Sequence, residues 1–153
     1  MPRPLFMSLL VAGAVLAAGC GASTMPPVPD LEQTIIMSRD RVDFALARTT
    51  RARSKDEFLE RMDKAAETID AAARDLERVG TTKGYESEVD SLVEALHQLA
   101  FDVQATADQI RQPEFSDLLA GTRGLSFESW DDVNRALADL TEEGIEVAPL
   151  ERH

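Results

Sequence analysis

Between positions 85 and 110, apolar and small residues fall at Tyr85, Val89, Leu92, Leu96, Leu99, Val103, Thr106 and Ile110, alternating four and three positions apart. On a helix these steps keep every member on one face, whereas a strand would send alternate members to opposite sides. A stripe this long must be covered along its whole length, and a second helix covers it best. Upstream, no Gly or Pro occurs between positions 31 and 79, and two further stripes occupy that span. Leu31, Ile35, Ser38, Val42, Ala45 and Thr49 form the first; Phe58, Met62, Ala65, Ile69, Ala72, Leu76 and Val79 form the second. The two are out of phase, and the break falls at 53–57, where Ser54 and Glu57 have the spacing of a capping box. Both one kinked helix and two separate helices fit that break.

Gly80 ends the second stripe and residues 81–84 read as a turn. A short connection makes the flanking helices antiparallel neighbours, so 55–79 and 85–111 form a hairpin roughly 40 Å long. Residues 113–120 suit a short helix opened by Pro113. After the Gly121 to Gly124 loop, Ser126 or Ser129 caps a last helix that turns Trp130, Val133, Leu137 and Leu140 inward and stops at Gly144. The stretch 145–150 is expected to run extended along the bundle. The expected fold class is therefore all-α: an antiparallel helical hairpin or bundle of three to four main helices, with one short helix and an extended C-terminal tail. A length of 153 residues, of which 44% are hydrophobic, fits one such domain over 31–153.

The first thirty residues have a different texture. After Arg3, positions 5–19 hold one polar residue, Ser8. As a helix this stretch spans about 22 Å, too short for a hydrocarbon core of ~30 Å, and its basic start and small-residue end read as a signal peptide. It closes on Leu16-Ala17-Ala18-Gly19-Cys20, which resembles the lipobox of bacterial lipoproteins. The resemblance implies cleavage between Gly19 and Cys20, a diacylglyceryl thioether on Cys20 and acylation of the new amino terminus. Residues 1–19 are then a signal peptide, and 20–30 a lipidated Cys followed by a tether stiffened by Pro26, Pro27 and Pro29. Two acyl chains, at about 0.8 kcal/mol per buried CH₂, suffice for stable anchoring. The implied location is the extracytoplasmic face of a bacterial membrane, held through the lipid on Cys20. Residues 54–110, then 124–130 and 144–147, also resemble small helical lipoproteins of high-GC actinobacteria, a likeness that covers most of the chain after Cys20, bears on fold and location and carries no mechanism.

Charge narrows the partners. A net charge of −12 argues against binding nucleic acid through its phosphates. One Cys allows no internal disulfide, and with two His it leaves a Cys/His zinc cluster short of ligands. The charge is unevenly placed: residues 39–83 carry eleven Lys and Arg against ten acids, whereas 84–153 carry four against sixteen. Arg48, Arg51, Arg53 and Lys55 form a basic cluster with no acid between Asp43 and Asp56. Anionic headgroups or an anionic wall polymer would suit it. The favoured expectation is pairing with the acidic second half, because a first helix pointing away from the bilayer puts the cluster ~30 Å beyond the tether, several Debye lengths out.

No constellation for catalysis emerges. Glu94 and His97 have the Glu-x-x-His form of di-iron bundles, but they fall off the Leu92, Leu96, Leu99 stripe and no second copy exists; a surface pair is expected. No glycine-rich nucleophile elbow or phosphate loop is present. Phe115, Phe127 and Trp130 gather around the Gly121 to Gly124 loop, either as a patch for a partner or ligand or as a cap on the hairpin core. The expectation is a protein that is no enzyme and needs no cofactor or metal: a non-catalytic protein-interaction module of the cell envelope. The alternative is a helical carrier that takes a small apolar ligand near Phe115, Phe127 and Trp130.

Overall fold

The first helix, α1 (Leu31–Thr49), starts at Asp30, whose carboxylate accepts the Gln33 backbone N–H at 2.8 Å, while the Thr34 hydroxyl donates to the Asp30 carbonyl. An N-cap of this kind satisfies donors that the first turn leaves unpaired. The computed structural model describes residues 30–79, 84–112 and 127–152, so Gly19, Cys20, Phe115 and the short helix expected at 113–120 lie outside the described residues. Residues 50–54 separate α1 from α2 (Lys55–Val79), which resolves the open choice at the phase break in favour of two helices. The capping box is present: Ser54 Oγ accepts the Glu57 N–H at 3.1 Å, and the Glu57 carboxylate reaches back to the Arg53 N–H at 2.8 Å. Removing this cap with Ser54→Ala is expected to cost about 1 kcal/mol, read as a lower urea midpoint at unchanged slope.

Two more helices follow, α3 (Glu86–Arg111) and α4 (Glu128–Glu142), and no strand occurs among the described residues. The fold is all-α. Consecutive helices pack side by side, and cross-helix bonds fix their directions as alternately up and down. Arg61 near the start of α2 donates to the Arg48 carbonyl at the end of α1. Arg111 at the end of α3 pairs with Asp63 in the first half of α2. Tyr85, ahead of α3, donates its hydroxyl to the Glu143 carbonyl beyond α4. At the other end of that pair, Ser129 Oγ donates to Asp102 Oδ2 at 2.6 Å.

That last bond corrects an expectation. Ser129 is no N-cap; it lies inside the first turn of α4, buried, with Phe127 in the cap position and no side-chain cap bond. Burying the Phe127 ring turns Ser129 inward toward Asp102. Ser126, the other candidate cap, lies outside the described residues.

The core is aliphatic at its centre, with Ile35, Val42, Met62, Ile69, Leu76, Leu99, Val103 and Leu140 all but fully enclosed. Ala65, Ala72, Ala73 and Ala107 are equally buried and let the backbones of α2 and α3 approach closely. Two polar members of the α1 stripe, Ser38 and Thr49, are buried as the stripe required; the Thr49 hydroxyl donates to the Leu46 carbonyl at 2.7 Å.

The last seam is closed by the tail. Gly144 adopts φ +104°, and Ile145 N–H donates to the Leu140 carbonyl while Gly144 N–H donates to the Thr141 carbonyl. This is a Schellman end, whose left-handed residue suits glycine. It sends residues 145–150 back between α1 and α4. Leu150 is buried there, facing Ile35, Leu92, Leu96, Val133 and Leu137 around a residual space of about 10 Å³. Arg39 donates to the carbonyls of Ala148 and Pro149, and the Leu150 N–H donates to Asn134 Oδ1 at 2.7 Å. The extended tail expected from the sequence is thus part of the bundle wall.

Candidate functional site

Once one face of α1 is spent on the core, the other carries side chains that the fold does not use. Phe44 is 62% exposed and Met37, seven positions earlier, is 50% exposed. Burying either side chain would be worth about 1.5–3 kcal/mol, so their exposure needs a reason. The Arg48 guanidinium lies over the Phe44 ring, 5.8 Å from its centroid. Beside them, an open groove of about 400 Å³ runs between α1 and α2, with Phe44, Ala45 and Arg48 on one wall and Arg61, Lys64 and Ala65 on the other.

Two of the groove cations are internally matched. Arg61 pairs with Glu57 and Lys64 with Glu60, each one helical turn apart. The Glu57 carboxyl is held below the ordinary range, first by the Arg53 backbone N–H it accepts; Glu60 is lowered mainly by its hydrogen bond from Lys64. Arg41 pairs with Asp75 at 2.6 Å.

The corner between α1 and α2 is different. Arg48 makes no ion pair among the described residues and rests on Phe44; the side chains of Arg51 and Lys55 have no hydrogen-bond or ion-pair partner among them, and Arg53 acts only through its charge on nearby Glu57. The expected pairing of this cluster with the acidic second half is therefore not made among the described residues. Acids of the second half are matched instead to its own cations: Asp108 to Arg111, Asp132 to Arg135 and Asp131 to Arg152.

His97 also differs from its expected role. It does not pair with Glu94 on its own helix. Its Nδ1 lies 2.9 Å from Asp70 Oδ1 and its Nε2 lies 3.3 Å from Glu77 Oε1, both on α2, with Arg74 on the far oxygen of Asp70 at 2.5 Å. The carboxylates sit at opposite edges of the ring, so they share no point at which a cation would sit. Among the described residues no three His, Cys, Asp or Glu side chains are grouped to hold a metal ion. His97 is 39% exposed, held between the two carboxylates. The arrangement is a clamp between α2 and α3.

Of the aromatic trio, Phe127 and Trp130 are both buried in the core, and none of the described cavities is lined by either. The Trp130 Nε1–H is enclosed without an acceptor among the described residues. Among the described residues the exposed aromatics are Phe44 and Phe101, the latter 67% exposed on α3, and neither belongs to the expected patch. Helical phase was the available signal: each falls between stripe members, Phe44 after Val42 and Phe101 after Leu99. Near Phe101, an open groove of about 330 Å³ between α3 and α4 is lined by Glu94, Gln98, Asp132, Arg135 and Asp139, so this side of the molecule is acidic.

No family model matches the chain, and no curated protein or solved structure matches it. Among the described residues no helix is long and apolar enough to cross a membrane.

Proposed function

We propose that the protein is a lipoprotein anchored through Cys20 on the extracytoplasmic face of a bacterial membrane, where its helical bundle acts as a non-catalytic interaction module for an envelope protein. Phe101 carries this reading. It is the most exposed large apolar side chain among the described residues, and it stands on the acidic α3 face beside an open groove. Exposed aromatic side chains are enriched among binding hot spots, and the acids that line the α3–α4 groove suit a basic partner surface.

The test has two parts. Cys20→Ala is expected to move the protein from the membrane to the soluble fraction and to remove the lipid mass shift; retention with unchanged mass would overturn the anchor. A photoreactive side chain at Ala105, one turn from Phe101, is expected to give one defined crosslinked product in cells, lost in Phe101→Ala. No product, or one indifferent to Phe101, would overturn the interaction module.

A second reading, a carrier for a small apolar ligand near Phe115, Phe127 and Trp130, is favoured by the unpaired Trp130 Nε1–H, since a buried donor without an acceptor costs about 1–3 kcal/mol and a ligand oxygen would satisfy it. Native mass spectrometry of the purified protein distinguishes it by a retained small-molecule mass.

A further inference from the structure

Resting on the lipoprotein reading, we infer that the outer face of α1 and the α1–α2 corner lie against an anionic bilayer surface, so that the anchored bundle reclines on the membrane with its acidic α3–α4 side turned outward. Met37 and Phe44 are spaced seven apart and so fall along one line of α1, with Arg48 one turn beyond Phe44 and over its ring. Two exposed apolar side chains thus lead into Arg48, Arg51, Arg53 and Lys55, the cations that find no ion pair among the described residues. Apolar side chains flanked by Arg and Lys on the solvent face of a helix are the make-up of an interfacial helix. The acids nearby do not cancel it. Asp40 is paired with Arg39, Glu60 with Lys64 and Glu57 with Arg61, although the Glu57 charge also acts on Arg53, and Asp56 makes no ion pair among the described residues.

The attachment fits. The proposed anchor and the start of α1 are separated by the ten steps from Cys20 to Asp30, a reach of at most about 35 Å. The 19 residues of α1 span about 28 Å. The tether is therefore long enough for α1 to lie along the bilayer, which brings the corner within a Debye length of the headgroups instead of ~30 Å beyond them. The same field repels the acidic half, so attraction at one side and repulsion at the other select one orientation. Phe101 then faces away from the lipid, open to a partner.

The experiment uses the lipidated full chain reconstituted in vesicles. If Cys20 is acylated, a single introduced Cys is the only free thiol, so a spin label can be placed at Met37→Cys or, as control, at Phe101→Cys. In vesicles of phosphatidylcholine with phosphatidylglycerol, the label at 37 is expected to be shielded from a water-soluble nickel chelate, and in pure phosphatidylcholine to be open. The label at 101 stays open in both. Each of Arg48, Arg51, Arg53 and Lys55 replaced by Gln is expected to lower the reclined population about fivefold. Equal access at 37 in both vesicles overturns the inference. So does shielding produced equally by soluble polyphosphate, which would make the occupant an anionic polymer. The mass of the purified chain separates this from failure of the anchor itself: an unacylated Cys20 fails the lipoprotein reading, whereas an acylated chain with position 37 open fails only the orientation.

Discussion

Leu99→Ala is expected to lower the unfolding free energy by about 3–4 kcal/mol, the largest effect of any single conservative truncation proposed for this chain. Leu99 is fully enclosed at the middle of the α3 stripe, inside the one core that the buried faces of all four helices share. Truncation removes three carbons from a packed site on the face of a helix, where the surroundings relax only partly into the gap. The small residues of α2, Ala65, Ala66, Ala72 and Ala73, make this worse, since the helices are already close and have no spare side chain to swing into the space. Urea unfolding followed by far-UV circular dichroism is the measurement, with the midpoint falling and the slope unchanged. Phe101→Ala supplies the control on the same helix. Because that ring is in water, its removal is expected to change stability by no more than about 0.5 kcal/mol, whatever it does to partner binding.

The contrast between Leu99 and Phe101 also marks how much the sequence displayed. Steps of four and three located every helix among the described residues, and the Leu92, Leu96, Leu99, Val103 series is buried as spaced. At the ends of the stripes the register drifts. A seven-residue repeat lags a straight helix by about 20° per heptad, so the buried position moves along the chain. Leu46 takes the place expected for Ala45, and Ala107 that of Thr106. The candidate site was less legible because it depends on what faces what. A basic cluster and an acidic half look like partners in composition, yet Asp108, Asp131 and Asp132 are taken by Arg111, Arg152 and Arg135. His97 looks like a partner of Glu94, but α2 offers it Asp70 and Glu77 across the interface. Phe44 was visible as out of phase, but only the packed bundle shows that nothing covers it.

The tail gives the second large effect, because its contribution is not visible in any helix. Leu150→Ala is expected to cost about 2–3 kcal/mol, close to a core truncation although the residue stands near the end of the chain. Leu150 fills the α1–α4 seam, and only about 10 Å³ is left beside it. Without its side chain, Ile35, Leu92, Leu96, Val133 and Leu137 border a gap open to water at one end. The polar bonds act together with the apolar one. Arg39 holds two successive carbonyls of the tail, Asn134 accepts the Leu150 N–H and Asp43 the Glu151 N–H, and these bonds are aligned only while Leu150 is seated. Arg39→Ala should therefore be non-additive with Leu150→Ala, the double variant losing less than the two single losses combined by about 1 kcal/mol. Hydrogen exchange separates the local from the global consequence. In Leu150→Ala the amides at positions 150 and 151 should exchange at rates close to those of an open chain, while those of α2 and α3 stay protected in proportion to the remaining global stability. A tail whose amides stay protected after Leu150 is truncated would mean that Arg39 and Asn134 hold it alone, and the seam would then be closed by polar bonds and not by burial.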